Sequence, residues 1–537
     1  MSAAGSAAPA PTNEWDRNRL PVATGTDRIV TTLNELAGRR DGASWGVREL
    51  AEELGASRST VNRTLQGLSD IGLATRDSNG NYAVGPRFRV LASRLLERHP
   101  LLGSARPTID TLAQSCDATT ILALYEPSSM RAFVAVAAVA PGPIRYDLSP
   151  GTVLPVHAGA AGRAILAQLG AESLSEVDLT SFTSETLTDR SALEAVLAQD
   201  RANGYTISVG QHFALAAGVA APFRFGELLG AVSVTRPRYD TSDEDLRRFA
   251  PLVQDAARRL SALPMPTASD PAPRNVPRAH GVAAVESLCE AESSTALVRF
   301  ERLVSALVAH PAGIESMSRP LGKRIGANPA TAAKLLAAAL KAGIAIMRDD
   351  RAMAGPRLLH WAAAVGSSVD LEAVIGGIAQ ALAAEIGETV GVTAFDHTTV
   401  CAEQTIVVPG TRPMHYGLAT GVEVPLHAGA AGKAILAELP ADTLDDLALT
   451  KYTERTVTNR AELSVELGQI RAKGWATGDG ERIPDAFGVA APYFVDGVVG
   501  GSVTVTIPRY RIPELDIDSV AAAVLRATRE ITRMLTV

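Results

Sequence analysis

Three cysteines in 537 residues are too few for a disulfide framework, and Cys116, Cys289 and Cys401 lack the close spacing of a metal site. That usage fits a reducing cytoplasm. The chain opens MSAAGSAAPAPTNEW, small and polar, without the basic start and apolar core of a signal peptide. Long apolar runs are missing. The stretch 335–340 is bounded by Lys334 and Lys341 and is too short to span a bilayer. Excess positive charge is missing too. A net charge of −7 excludes a chain-wide basic coat, so any nucleic-acid site must be local. Gly42-Ala43-Ser44-Trp45-Gly46 matches the G-x-S-x-G hydrolase elbow but follows no buried strand. No metal cluster, phosphate loop or paired catalytic acid appears in a convincing context. No enzyme activity, metal or cofactor is expected.

What is present is a globular composition, 46% hydrophobic and 20% charged, long enough for several domains. One stretch occurs twice. Residues 157–167 read HAGAAGRAILA and residues 427–437 read HAGAAGKAILA, so the second copy begins about half a chain after the first. A glycine loop entering an alanine-rich helix is either an anion-binding turn or a packing corner that needs small residues. A lone histidine before such a loop (His157, His427) reads as a capping or packing residue.

Residues 1–23 are rich in Ala, Pro and Ser and read as a disordered tail. Ile29, Leu33 and Leu36 then mark a helix face, and Val47, Leu50, Ala51 and Leu54 a second, short one. Ser57 is a good N-cap for a third helix with Val61, Leu65 and Leu68 inward. Arg58, Ser59, Thr60, Asn62, Arg63 and Gln66 face outward. Two short strands surround Asp77-Ser78-Asn79-Gly80-Asn81, a hairpin signal. Helix, helix, turn, helix, hairpin is a winged helix-turn-helix, whose recognition helix presents its polar face to the DNA major groove. A connector helix follows. From about 104 to 262 helices alternate with strands as in an α+β domain with a central sheet. Five prolines between 264 and 277 mark a linker.

The series then restarts. Gly326 and Gly343 are spaced as Gly55 and Gly72 are, and Gly488-Val489-Ala490-Ala491-Pro492 answers Gly218-Val219-Ala220-Ala221-Pro222. The repeat unit is a whole two-domain protein, hence a tandem duplication and not a solenoid. The expected domains are a tail (1–23), a first winged helix-turn-helix (24–87), a connector helix (88–103), a first α+β domain (104–262), a linker (263–298), a second winged helix-turn-helix (299–357) and a second α+β domain (358–537).

Several separated motifs occur in the same order in both copies. G-x-x-[LV]-P-[LV]-H-A-x-x-x-G-[KR]-A spans 151–164 and 421–434. T-[LV]-T-[DN]-R-x-x-L spans 186–193 and 456–463, and G-V-A-A-P follows. With the winged helix-turn-helix, this pattern resembles the IclR-type transcriptional regulators from about residue 25 to the end. The resemblance implies GAF-like effector domains that bind a small molecule, often a carboxylic acid, and control binding to double-stranded operator DNA, more often as a repressor. An ordinary member has one unit and dimerises; fusing two implies an internal pseudo-dimer, able to dimerise again.

The candidate DNA contacts are Ser57, Arg58, Ser59, Thr60, Asn62 and Arg63, with Asn79 and Tyr82 in the wing. Arginine suits guanine or phosphate, and asparagine suits adenine. In the second copy the corresponding helix carries Ala330, Thr331, Ala332 and Ala333, poorer for reading bases. Residues 27–90 carry 9 basic and 8 acidic groups (9 − 8 = +1), whereas 301–357 carry 9 and 4 (9 − 4 = +5). The second module therefore either holds phosphates through Lys323, Arg324 and Lys334 or is purely structural. The resemblance places effector contacts in copy one at Tyr146, Leu154, Ala160, Ala161, Ser208, Ala216, Gly218, Ser233 and Thr235. In copy two they fall at Tyr416, Val424, Ala430, Ala431, Gly478, Ala486, Gly488, Thr504 and Thr506. Hydroxyls beside a helix start suit a carboxylate, and the apolar remainder suits a hydrophobic or aromatic body. The family often has an acidic residue where Gln211 stands; Glu481 keeps it in copy two, so the pockets can differ in ligand.

Overall fold

A computed structural model describes residues 25–39, 43–139, 148–266, 295–366 and 371–537. The chain divides into two compact units, one of residues 1–270 with 294–368, the other of 271–293 with 369–537. The expected tail, most of the expected linker and Tyr146 lie outside the described residues.

The first unit opens with α1 (Gly25–Gly38), α2 (Val47–Glu53) and α3 (Arg58–Asp70). The Ser57 hydroxyl accepts the Thr60 N–H at 3.3 Å and so caps α3, while Val61, Leu65 and Leu68 seal its inner stripe. β1 (Ala74–Arg76) and β2 (Tyr82–Val84) form the hairpin. Its turn is tied by the Asp77 carboxylate, which accepts from the N–H groups of Asn79 and Asn81, each at 2.9 Å. In place of one connector helix over 88–103 there are two. α4 (Pro86–Arg98) ends at His99, and α5 (Pro100–Cys116) starts afresh because Pro100 holds the preceding residue extended.

The sheet domain follows: β3 (Thr119–Glu126), β4 (Arg131–Ala138), β5 (Val153–Pro155), α6 (Ala160–Leu166), α7 (Ala171–Glu176), α8 (Arg190–Asn203), β6 (Thr206–Val209), β7 (Ala216–Phe225), β8 (Leu228–Pro237) and α9 (Asp243–Ser261). All pairs are antiparallel in the order β5-β4-β3-β8-β7-β6. Helices α5 and α9 pack on the sheet, burying Ile109, Leu112, Phe249 and Val253. Helices α6 and α8 pack through a separate core that joins Ala164, Ile165, Leu193 and Leu197 to Leu154, Ala220 and Ala231.

The same unit closes with α10 (Ala296–Ala309), β9 (Ile314–Glu315), α11 (Ser318–Ile325), α12 (Pro329–Lys341), β10 (Ala345–Arg348), β11 (Arg351–Ala354) and α13 (Pro356–Val365). Asn328 caps α12, accepting from the Thr331 N–H at 2.9 Å. The expected boundary at 358 falls inside α13, and the structure corrects it. Leu358, Leu359, Trp361, Ala362 and Ala363 are all buried, so the helix needs cover on every side. It finds that cover within the first unit, against α1, α4 and β4. The Trp361 indole donates to Asn34 Oδ1 at 2.5 Å, and its ring lies 5.7 Å from that of Phe88. Arg87 on α4 pairs with Glu301 on α10 at 2.8 Å. Each helical module thus lends its last helix to the other.

The second unit carries α14 (Leu371–Ile386), β12 (Thr389–Asp396), β13 (Cys401–Val408), β14 (Val422–Glu423), α15 (Ala430–Leu436), α16 (Thr443–Asp446), α17 (Arg460–Lys473), β15 (Ala476–Asp479), β16 (Ala486–Val495), β17 (Val498–Pro508) and α18 (Ile517–Leu535). Its sheet runs β14-β13-β12-β17-β16-β15, antiparallel throughout. Even the register irregularity recurs: Leu122/Ala123 in β3 corresponds to Val392/Thr393 at the same place in β12. Among the described residues no helix is long and apolar enough to cross a membrane.

Candidate functional site

The repeated stretch sits at the centre of each sheet domain. Gly159 enters α6 with φ 82, and Gly429 enters α15 with φ 86, values that favour glycine. A Cβ on Gly162 would lie 2.0 Å from the Pro155 carbonyl oxygen, so α6 rests directly on β5. Gly162→Ala is expected to lower stability by about 1–3 kcal/mol through this backbone overlap, read as a fall in Tm. An unchanged Tm would show that the corner is loose. The two histidines bridge loops: His157 Nε2 lies 2.9 Å from the Thr180 carbonyl, and His427 Nε2 lies 2.8 Å from that of Thr450. Both are buried and packed against the next loop.

Beside each corner is a cleft. The first, about 450 Å³, is lined by Leu154, Ala160, Ala161, Ser208, Ala216, Gly218, Ser233 and Thr235, with Ile121, Leu148, Gln211, His212 and Phe213 among the additions. The second, about 530 Å³, is lined by Val424, Ala430, Ala431, Gly478, Ala486, Gly488, Thr504 and Thr506, joined by Gln404, Leu418, Glu481, Arg482 and Ile483. Tyr416 does not line the second cleft. Its hydroxyl is turned to the Pro484 carbonyl at 3.3 Å, and Leu418 stands in the wall.

The one difference inside the repeated stretch, Arg163 against Lys433, carries a different ion cluster behind each cleft. Arg163 pairs with Asp200 at 2.6 Å and donates to Gln211 Oε1 at 3.0 Å. Burial pushes the Asp200 carboxyl up against the pull of Arg163. Lys433, fully buried, holds Glu466 at 2.5 Å and Glu481 at 2.6 Å. The second Glu481 oxygen accepts the Gly429 N–H at 2.9 Å.

The other candidate surface is on the helical modules. Arg58, Ser59, Asn62 and Arg63 are exposed on α3, and Thr60 is half-buried. Ser57 spends its hydroxyl on the cap and on Thr60 Oγ1. Asn79 is exposed at the hairpin tip. Tyr82 must be withdrawn as a DNA contact. Alternation along β2 turns it inward, to 1% exposure, where its backbone pairs with Trp45. Lys323, Arg324 and Lys334 are exposed on α11 and α12; Arg324 also meets His310 Nε2 at 3.2 Å.

Family comparisons match this architecture. The bacterial transcriptional regulator IclR C-terminal domain matches residues 93–262 and again 363–533, together more than half of the chain. The IclR helix-turn-helix domain matches residues 26–78. The chain belongs to the IclR family. The HTH-type transcriptional regulator BhcR of Paracoccus denitrificans is 33% identical over 220 residues, 40% of this chain and 78% of the relative. The transcriptional repressor IclR of Escherichia coli is 27% identical over 227 residues, 41% of this chain and 82% of that protein. Among solved structures, an IclR homologue from Microbacterium hydrocarbonoxydans complexed with 4-hydroxybenzoate is 24% identical, covering 44% of this chain and 99% of that one with a TM-score of 0.37.

As an IclR-family member the chain is a DNA-binding transcriptional regulator that responds to a small molecule. Sequence reasoning missed His212 and Arg482 among the cleft residues. They hold equivalent places in the two copies, one position beyond Gln211 and Glu481, and that coincidence was the available signal.

Proposed function

We propose that this chain is a repressor in which two complete IclR units are fused in tandem, so that one molecule is its own pseudo-dimer. The observation that carries this reading is the reciprocal packing of α4 and α13, by which two helix-helix-hairpin modules share one interface inside one chain. The domain limits of the reading are those set out above, with α13 moved to the second DNA-binding module. Arg58, Ser59, Thr60, Asn62 and Arg63 read bases and phosphates from α3, with Asn79 at the wing. Lys323, Arg324 and Lys334 hold phosphates through the second module. Unequal recognition helices make the operator asymmetric. The clefts bind small effectors, a carboxylate or a related metabolite, and the ligand acts by favouring one arrangement of the modules.

A gel-shift with DNA from upstream of the chain's own gene tests this. Specific binding is expected, and Arg63→Ala should weaken it by roughly 5- to 150-fold, the loss of about 1–3 kcal/mol for one base-reading arginine. Absence of sequence-specific binding, or indifference to Arg63→Ala and Arg58→Ala together, would sink the proposal.

A further inference from the structure

We infer that the two clefts are built for ligands of different charge: the second takes an anion against Arg482, and the first takes an uncharged polar ligand. This rests on the reading of both clefts as effector sites.

In the second cleft Arg482 lines the wall and is half-buried. One amino group donates to the Glu423 carbonyl at 3.0 Å, yet the guanidinium forms no ion pair among the described residues. An arginine stays charged in a protein, so this is a cation partly stripped of water without a counter-ion. Its neighbour Glu481 does not supply one. One Glu481 oxygen is taken by Lys433 and the other by the Gly429 N–H, so that charge is spent behind the wall. Thr504, 8% exposed, lines the same cleft, and its hydroxyl has no hydrogen-bond partner among the described residues. The unmatched guanidinium suits an anion that accepts from it.

In the first cleft each of those charges is replaced. His212 stands where Arg482 does, its ring 4.9 Å from that of Phe182 and 4.1 Å from that of Phe213. Burial lowers its pKa to about 4, which leaves the imidazole neutral at neutral pH. Gln211 stands where Glu481 does, and its carbonyl oxygen accepts from Arg163 and from Ser208, each at 3.0 Å. Arg163 is already matched by Asp200. Among the described residues the polar lining is therefore hydroxyl, amide and neutral imidazole. A ligand charge buried there would meet no opposite charge among them, and the cost of desolvating it would stand uncompensated.

The test uses benzoate and benzamide, alike in shape and different in charge, titrated calorimetrically into the full-length protein. Benzoate is expected to bind once per chain. Arg482→Gln should weaken it at least about tenfold, Arg482→Lys should recover part of the loss, and Ser233→Ala should leave it unchanged. Benzamide is expected to show the opposite pattern, weakened by Ser233→Ala and indifferent to Arg482→Gln. Benzoate binding that survives Arg482→Gln, or that falls with Ser233→Ala, overturns the assignment while leaving both clefts as effector sites. Failure of both probes to bind at millimolar concentration overturns the effector reading itself.

Discussion

Glu126→Ala is expected to lower the stability of the first unit by about 3–5 kcal/mol, seen as a fall in the urea midpoint of its transition. Glu126 ends β3 at 3% exposure and is the counter-charge of α13. Arg357 approaches one of its oxygens at 2.6 Å, and His360 Nδ1 lies 3.0 Å from the other. Arg357 is itself 4% exposed. Deleting the carboxylate leaves a guanidinium in the interior with the Ser128 hydroxyl, at 3.1 Å, as its remaining polar contact among the described residues. Burial alone would raise the Glu126 pKa. The hydrogen bond from His360 and the charge of Arg357 outweigh it and hold the pKa at about 2. The folded pKa thus lies below the ordinary carboxylate value. The stability it contributes is fully present above about pH 4.5 and is lost as pH falls from there through about 2. The wild type should therefore lose stability across that window, and the variant should lose distinctly less. Parallel pH profiles would show that the cluster is not formed in solution.

This cluster also joins the wall of the first cleft to the helical modules. His360 also places Nε2 at 3.1 Å from the Gly151 carbonyl and stacks on Phe133 at 4.5 Å. Phe133 pairs with Val153 in the β4–β5 ladder, and the next residue, Leu154, lines the first cleft. A helix that closes the interface between the two helical modules therefore leans on the strand that walls the first cleft.

The sequence made much of this readable and hid the part that matters most for coupling. The polarity of α3 was legible because Val61, Leu65 and Leu68 recur at helical spacing beneath a capping serine. β7 carries the repeated Gly218–Pro222 motif in its interior, but the strand extends beyond it on both sides, from Ala216 to Phe225. β5 and α7 were not, because three and six residues are too few to show a period. Most expected cleft residues came from the family pattern, and the structure gathers all of the described ones except Tyr416 around the two clefts. Tyr82 was misplaced although strand alternation, with Tyr82 and Val84 in and Ala83 between, could have turned it inward. The α13 boundary was misplaced for a deeper reason. Repetition assigns a segment to its copy, but burial decides which neighbour it packs against. Glu126 gave no signal, since an acidic residue at a strand end ordinarily faces water.

Lys433→Ala should cost the second unit about 3–5 kcal/mol as well, because it strands Glu481. The lysine is completely buried between Glu466 and Glu481. Glu466 retains 29% side-chain exposure and can turn to water, whereas Glu481 retains 10% and cannot. Lys433→Met keeps most of the volume and loses the charge, so its cost isolates the ion cluster from the cavity. Adding Glu481→Gln to Lys433→Met recreates the neutral side chain that Gln211 supplies in the first cleft and should recover a large part of the loss. In a double-mutant cycle the two sites should couple by more than about 1 kcal/mol. The cleft should report the same event independently. With Lys433 gone, the charge of Glu481 is no longer spent behind the wall and lies one residue from Arg482, so Lys433→Met should weaken benzoate while Lys433→Met with Glu481→Gln should restore it. A stable Lys433→Met protein with unaltered benzoate affinity would mean that the repeated corner does not set the charge of its cleft, and that the single Arg-to-Lys difference between the two copies is silent.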